Sequence, residues 1–281
     1  MSSSSKDLRP RAKSFIKKNE KAIENAVELL LRKKVTVVTG AGISVAAGIP
    51  AFRSGEDRLY SIASKLASLT KKGFLQPATR HKFFSVLDPI LERVPDQRKP
   101  TVTHRFIKKL CDDKLVTRVY TQNVDDLERK AGVRENYLVQ CHGTTSTGSC
   151  HAMNDCRQSY DSTAMIEKMA TLRDEAGGVI GLNAGITCDK CQLIFVRHDL
   201  VLFDDELPLR WTECNQVDVP NTRTLLVIGT SLEVYPVNKY VMDFTCPMIR
   251  IDNDPKAVFS SSLSYFVCDA SSEIELLYSK P

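Results

Sequence analysis

Val35-Thr36-Val37-Val38-Thr39-Gly40-Ala41-Gly42-Ile43-Ser44 is a β-branched run that stops at a glycine-rich turn, and small residues carry on to Gly48-Ile49-Pro50. The pattern reads as a buried strand feeding a loop and then a helix. Glycines let a backbone come close to a pyrophosphate, and N–H groups at a helix start supply donors for it. The stretch therefore points to a dinucleotide ligand. Its spacing is not the usual G-x-G-x-x-G. Gly40 and Gly42 fill the first two places, Val45 stands in the third, and the next glycine is Gly48. The acid expected about 20 residues on, at a second strand end, has no good match, because Glu56 and Asp57 lie in a polar stretch. This is a Rossmann-like start used in a non-standard way. The alternative is a glycine turn that only lets strand and helix pack.

A chain of 281 residues can bury a large core, either as one α/β domain or as a large domain with a small module inserted. Hydrophobic residues make up 42% and charged residues 26%, an ordinary globular balance. The net charge of +5 favours an acidic cofactor or anionic partner but is too small to imply direct nucleic-acid binding. No apolar run approaches the roughly 20 residues that span a bilayer, and the start has no signal-peptide core. The expectation is an intracellular protein, cytoplasmic and/or nuclear, with no membrane partner. Nine cysteines in such a chain suggest metal binding or reduced thiols before a disulfide framework.

Along the chain, residues 1–19 read as a disordered tail, Ser- and charge-rich at first and then lysine-rich. Ile23, Ala26, Val27, Leu30 and Leu31 follow at helical spacing. Residues 55–100 read as helical and irregular, anchored by Phe74, Phe83, Phe84 and Leu87, and suit a cover over a cleft. A helix is expected over 104–113 and a strand from Leu115 to Tyr120, with Thr121-Gln122-Asn123-Val124-Asp125 at the strand end where α/β sheets bind ligands. A further strand runs from Tyr137 to Gln140. Thr224 to Ile228 is a strand ending in Gly229-Thr230-Ser231, Met248 to Ile251 one ending in Asp252-Asn253-Asp254, and Ser272 to Tyr278 a closing helix. Alternating strands and helices argue for an α/β fold with a Rossmann-like doubly wound parallel sheet. The expected division is 20–143 and 200–281 for that domain, with a small inserted zinc-binding module at 144–199.

The inserted stretch holds four cysteines. Cys188-Asp189-Lys190-Cys191 is a C-x-x-C pair, and Cys150 and Cys156 form a looser one about 30 residues before it. Two such pairs can converge on one tetrahedral structural zinc, with His151 able to replace a cysteine. Four protein ligands leave no open position for catalysis. Binding would fold a module with little core of its own. The alternative is four reduced thiols without metal. Cys111, Cys141, Cys214, Cys246 and Cys268 sit in apolar or strand-end contexts and read as plain thiols.

Taken in order, the Gly40–Ser44 turn, Gly48-Ile49-Pro50-Ala51-Phe52-Arg53, Thr121–Asp125, Cys141-His142-Gly143, the cysteine pairs and Gly229-Thr230-Ser231 resemble the sirtuins, NAD-dependent protein lysine deacylases. The resemblance runs from about residue 35 to 270. It implies NAD as cofactor, held by Gly40, Ala41, Gly42, Ser44, Ile49 and Arg53, with Phe52 over the nicotinamide ribose. It implies that Gln122, Asn123 and Asp125 shape the nicotinamide pocket, with Asp125 holding the carboxamide. Gly229, Thr230, Ser231, Asp252, Asn253 and Cys268 would contact the adenosine half. His142 is then the general base that deprotonates a ribose hydroxyl, a task suited to an imidazole. Asn123 acts with it, and a core or capping histidine is the alternative for His142. Leu200 to Pro208 resembles the strand that pairs with the substrate backbone, with Val201 in it and Phe203 walling the acyl-lysine channel. The implied partners are acyl-lysine proteins, histones or other intracellular proteins.

Three positions depart from the family's usual residues: Ala51 in place of Asp, Asp204 in place of glycine and Asp252 in place of Asn. The Tyr and Arg that mark a preference for acidic acyl groups are absent after Phe52, so acetyl or a neutral longer acyl group is expected. The rival readings are an NAD glycohydrolase or ADP-ribosyltransferase on the same scaffold, a non-catalytic NAD-binding module, and a hydride-transferring dehydrogenase.

Overall fold

The computed structural model describes residues 8–49, 70–92, 98–152, 156–172, 185–252 and 264–267. The chain opens on helix α1 (Leu8–Leu31). This helix begins inside the stretch 1–19 expected to be a tail. Strand β1 (Val35–Thr39) follows, buried at all five positions. Further on come α2 (Lys71–Leu75), α3 (Pro77–Glu92), α4 (Val102–Asp112), β2 (Val116–Thr121), α5 (Leu127–Lys130) and β3 (Leu138–Gln140). The strands β4 (Gly143–Cys150) and β5 (Ser159–Tyr160), helix α6 (Ser162–Ala170) and strand β6 (Val196–Leu200) come next. The chain then forms α7 (Leu209–Asn221), β7 (Thr224–Ile228), α8 (Val237–Met242), β8 (Met248–Asp252) and β9 (Ser264–Val267). The expected helix at 272–278 lies outside the described residues.

Six strands form one sheet in the order β3-β2-β1-β7-β8-β9, every neighbouring pair parallel. Such sheets are covered on both faces, and that is why β1 and β7 are apolar without alternation. The side chains still divide by strand period. Val37, Val119, Leu138, Leu226 and Ile228 pack against α1 and α4 through Ala26, Leu29, Ile107 and Leu110. Val38, Tyr120, Val139, Leu225 and Val227 pack on the other face against Trp211, Tyr240 and Val241 of α7 and α8. From β1 the chain builds outward through β2 and β3, then returns to the far side of β1 with β7. The order therefore reverses between β1 and β7, which opens a crevice beyond their C-terminal ends.

A second sheet of three antiparallel strands, β5-β4-β6, stands apart from the first. Its core joins Cys150, Tyr160, Met165 and Val196 to Phe74, Phe83 and Phe84. The three phenylalanines stack edge-on at 5.1 to 6.1 Å. The structure differs here from the expected division, because α2 and α3 fall within 20–143 but their aromatic side chains are core of the small sheet.

The stretch 200–208 also differs from expectation. Strand β6 ends at Leu200 and the chain turns, with the Asp205 N–H donating to the Leu202 carbonyl at 3.0 Å. The cause is a partly buried ion pair. The Asp205 carboxylate accepts from Arg197 Nη2 at 2.6 Å and from the Leu202 N–H at 3.1 Å, drawing the segment back on itself. Asp204 accepts the backbone N–H groups of Lys71 and Lys72, so the residue that replaces the family's glycine ties this turn to the start of α2.

Candidate active site at the sheet switch point

The glycine turn leaves β1 as a short 3-10 helix, Ala41–Ala47. It lies against the loop after β7. The Gly42 N–H donates to the Gly229 carbonyl at 2.9 Å, and a Cβ on Gly42 would stand 2.7 Å from Gly229 Cα. Only glycine allows this approach, and the close approach closes one wall of the crevice.

The other wall is the C-terminal end of β2. The Gln122 side-chain amide donates to the Thr39 carbonyl at 3.2 Å and to the Thr230 hydroxyl at 2.8 Å, joining three strand ends. Thr230 continues the chain of contacts, because Arg250 Nη2 donates to its carbonyl at 2.8 Å and lies 3.4 Å from Asp252. Asn123 Nδ2 donates to the Gly40 carbonyl at 3.1 Å and to Ser44 Oγ at 3.3 Å. Ser44 in turn donates to the Asp125 carboxylate at 2.7 Å, and the Leu127 N–H donates to its other oxygen at 3.0 Å. Burial and the neighbouring Glu128 push the Asp125 carboxyl above the usual range, while Ser44, the Leu127 N–H and His104 pull it back.

His142 follows β3 and is held by its backbone and by one ring nitrogen. Its carbonyl accepts the Val201 N–H at 2.9 Å. Nδ1 lies 2.9 Å from the Gln122 carbonyl, which can only accept, so Nδ1 carries the proton and Nε2 the lone pair. Nε2 is buried and has no hydrogen-bond partner. Burial lowers the imidazole below its ordinary value and the Gln122 bond raises it less, so the ring is neutral near pH 7. Gly143 makes the sharp exit into β4 feasible, with φ +78 and a Cβ position 1.9 Å from the Asp199 carbonyl oxygen.

The structure brings Gly40, Gly42, Ser44, Gln122, Asn123, Asp125, His142, Gly229 and Thr230 into this one connected set. Ile49 is buried at the end of the turn, where its N–H donates to the Ser44 carbonyl at 3.3 Å. Ala41 opens the turn, Ser231 is exposed beyond Thr230, and Phe203 is 63% exposed on the turn after Val201. Phe52, Arg53, Asn253 and Cys268 lie outside the described residues, as does Ala51. Sequence reasoning missed Glu128 and His104. Glu128 lies on α5 and Asp125 in the turn before its cap, and the fold brings the two carboxylates within 4.8 Å. His104 closes a Thr-x-x-His start to α4, a variant of the capping-box pattern.

The four cysteines converge as expected. Cys150 and Cys191 Sγ lie 3.6 Å apart and Cys156 and Cys188 Sγ 3.7 Å, with all four sulfurs within 4.8 Å of one another. A zinc with bonds of about 2.3 Å to tetrahedral thiolates sets sulfurs about 3.8 Å apart, so the set fits that ion. His151 is not in the cluster; its ring packs edge-on against Phe74 at 6.5 Å. Burial pushes the Cys188 thiol up, but the Tyr160 hydroxyl and the N–H groups of Cys191 and Lys190 outweigh it and bring it down to about 6, a thiolate ready for a cation.

Comparison with known proteins accords with this geometry. Residues 40–236 match the model of the Sir2 family. The chain is 37% identical over 225 residues to the NAD-dependent deacetylase sir2A of Dictyostelium discoideum, covering 78% of this chain and 41% of that protein. It is 35% identical over 226 residues to the NAD-dependent protein deacetylase sirtuin-2 of Danio rerio, covering 78% and 55%. The chain thus spans only about half the length of these relatives or less. A solved structure described as a basis for the mechanism and regulation of Sir2 enzymes superposes with a TM-score of 0.71 at 28% identity, over 92% of this chain and 99% of that one. A Sir2 structure with a p53 peptide and NAD+ shares the fold, with a TM-score of 0.72 at 21% identity over 91% and 96%. With strand-end turns, Asn-x-Asp motif, His-Gly exit and thiol cluster all falling on one matched span, the chain belongs to the Sir2 family, the sirtuins.

Proposed function

We propose that this chain is an NAD-dependent protein lysine deacylase, which transfers the acyl group from lysine to the ADP-ribose of NAD and releases nicotinamide. The observation that carries the reading is His142. It is a half-buried, neutral imidazole, its Nδ1–H fixed by the carbonyl of Gln122, the residue before Asn123, with a lone pair on a buried Nε2. Such a nitrogen can take a proton from a hydroxyl brought within reach. NAD supplies the leaving nicotinamide and the acceptor sugar. The crevice between β1 and β7 would take its phosphates on the N–H groups of the 41–47 turn, with Gly229, Thr230, Ser231 and Asp252 toward adenosine. Asp125 would accept the carboxamide N–H, and water is kept out by burial of Asn123 and Asp125.

The four thiolates of Cys150, Cys156, Cys188 and Cys191 would hold one structural zinc and brace the small sheet. The acyl-lysine substrate would enter beside Val201 and Phe203, with acetyl or a neutral longer acyl group preferred. We place the protein inside the cell, in cytoplasm and/or nucleus, acting on histones or other proteins.

The test is nicotinamide release from NAD, with and without an acetyl-lysine peptide, for the wild-type chain and His142→Ala. Release that needs the peptide, matched by deacetylated product and lost in the variant, supports the deacylase. Release without peptide favours a glycohydrolase or ADP-ribosyltransferase.

A further inference from the structure

The four clustered thiols are not equivalent. Cys150 and Cys188 are fully buried, while Cys156 and Cys191 are half-buried. Cys188 has a further neighbour. The Tyr160 hydroxyl donates to its Sγ at 3.3 Å, and the Asp189 N–H donates to the same hydroxyl oxygen at 2.8 Å. The oxygen therefore accepts from the backbone, and its own proton is left for sulfur. A thiolate that holds a cation has no proton to give, so the direction of the Tyr160–Cys188 bond is fixed.

The phenol is held where it can keep this contact. Tyr160 is buried and ends β5, where it pairs with Gly148 of β4. The next residue, Asp161, caps α6, its side chain accepting the Ala164 N–H at 2.9 Å. Cys150 stands two residues beyond Gly148 on β4, and its N–H donates to the Gln158 carbonyl at 2.8 Å. One strand pair thus carries a thiol of the cluster on one strand and the phenol on the other. Lys168 of α6 adds a second hold. Its ammonium lies over the Tyr160 ring, 4.8 Å from the centroid, and donates to the Asp189 carboxylate at 2.7 Å and the Thr187 carbonyl at 3.3 Å. Thr187 and Asp189 flank Cys188 in the chain, so ring and ammonium together grip this thiol from both sides.

Four thiolates around one zinc leave an excess of two negative charges. A donor to sulfur draws off part of that charge and fixes the ligand's direction, and outer groups of this kind are worth about 10–100-fold in metal affinity. We propose that Tyr160 is a positioning residue for the metal: its O–H, oriented by the Asp189 N–H, donates to the Cys188 thiolate and sets how tightly the chain retains zinc. This rests on the zinc reading of the four cysteines. Tyr160 is not itself a ligand; it acts through Cys188.

Two substitutions separate the hydroxyl from the packing around it. Tyr160→Phe keeps the ring and its contact with Lys168 and removes the hydroxyl with its two hydrogen bonds. Met165→Leu, a volume-conserving change in the same core, keeps the hydroxyl and disturbs the packing. Zinc affinity of the full chain is measured by competition with a chromophoric chelator. Cobalt(II) is then put in place of zinc, and its thiolate-to-metal charge-transfer band is recorded. Tyr160→Phe is expected to weaken zinc binding about tenfold and to move the cobalt band to longer wavelength, because a sulfur without its donor gives up an electron more easily. Met165→Leu is expected to leave the band in place and to weaken zinc much less. A band that stays put in Tyr160→Phe, with zinc affinity within about twofold of wild type, overturns the proposal. So does an equal loss of zinc in Met165→Leu, since metal retention then follows the stability of the small sheet and not the hydroxyl. A wild-type chain that takes up neither metal sinks the zinc reading, and the proposal falls with it.

Discussion

Gly42→Ala tests the claim that the crevice is set by backbone contact. The added Cβ would stand 2.7 Å from Gly229 Cα and 2.9 Å from the Gly229 carbonyl oxygen. Carbon atoms in ordinary contact sit about 3.5–4.0 Å apart, so the two loops must part by about 1 Å. Both partners are backbone, and no rotamer relieves the clash. Parting them weakens the Gly42 N–H bond to Gly229, worth about 1 kcal/mol net. Overpacking adds about 1–3 kcal/mol, for a total cost near 2–4 kcal/mol. Gly48→Ala is the comparison. Gly48 has φ +77, but among the described residues the atoms near its Cβ position belong to the Arg98 guanidinium, 3.1 Å away at the end of a flexible chain. Its cost is mainly the left-handed backbone, about 1–2 kcal/mol.

Urea denaturation gives the two stabilities and calorimetry the two NAD affinities. Gly42→Ala is expected to cost more stability and to weaken NAD binding at least tenfold, about 1.4 kcal/mol. Gly48→Ala is expected to leave NAD binding within about threefold, since nothing in the crevice has to move. If Gly42→Ala binds NAD as the wild type does and is no less stable than Gly48→Ala, the reasoning from loop contact is refuted.

Other consequences follow from the same geometry. His142→Ala should lower turnover about 10²–10⁴-fold while NAD still binds, and turnover within tenfold of wild type would rule out Nε2 as the base. Because burial lowers the His142 imidazole, the acid limb of kcat/KM should lie below about pH 6.5, the value of a free ring; a limb at or above it contradicts the neutral buried tautomer. Burial, with Arg197 nearby, also pushes His151 down to about 4. The folded state holds this ring neutral while the unfolded chain protonates it near 6.5, so its contribution is intact above about pH 6.5 and is lost toward pH 4, by on the order of 3 kcal/mol. His151→Phe should flatten that slope in urea melts at pH 7 and pH 5, and an unchanged slope counts against it. Metal analysis should find about one zinc per chain; Cys191→Ser or a chelator should remove it and expose the 143–200 amides to hydrogen exchange before those of the large sheet, since zinc binding contributes about 10 kcal/mol or more in small modules.

The parts of the fold that the sequence made legible are those whose side chains are buried on both sides. Val35–Thr39 and Thr224–Ile228 read as strands to the residue, because a parallel strand covered twice has no reason to alternate. Strand β4 was hidden, since Gly143-Thr144-Thr145-Ser146-Thr147-Gly148-Ser149 is small and polar, and only pairing with β5 and β6 makes it a strand. The stretch 200–208 differs the other way. Leu200-Val201-Leu202-Phe203 has strand-like composition, yet the partly buried Arg197–Asp205 pair bends it and leaves Phe203 outside. In the site, the residues with unusual local chemistry were legible: paired glycines, Asn-x-Asp, His-Gly and C-x-x-C. The residues behind them were not. Glu128 and His104 look like ordinary helix residues until the fold brings three separate elements to within a few ångströms.

The site is a consequence of sheet register more than of its own contacts. Thr39 pairs with Thr121 on one side and Ile228 on the other; Thr121 pairs with Gln140, and Ile228 with Ile251. One row of strand ends is thereby level across five strands, and Gly40, Gln122, Cys141, Gly229 and Asp252 stand one residue beyond it. The groups that hold the polar side chains are largely backbone carbonyls from this row or next to it: Thr39 and Gln122 for the Gln122 amide and His142, Gly40 for Asn123. A slip of one residue in any strand would turn its side chains to the opposite face and remove an acceptor from the site. The double burial that makes β1 and β7 legible also forbids such a slip, because a strand buried at every position has little freedom to move without breaking both cores. The rigidity that His142 needs for the proposed role of base is thus supplied by hydrophobic packing several residues away, and the polar residues are left to settle only orientation and charge.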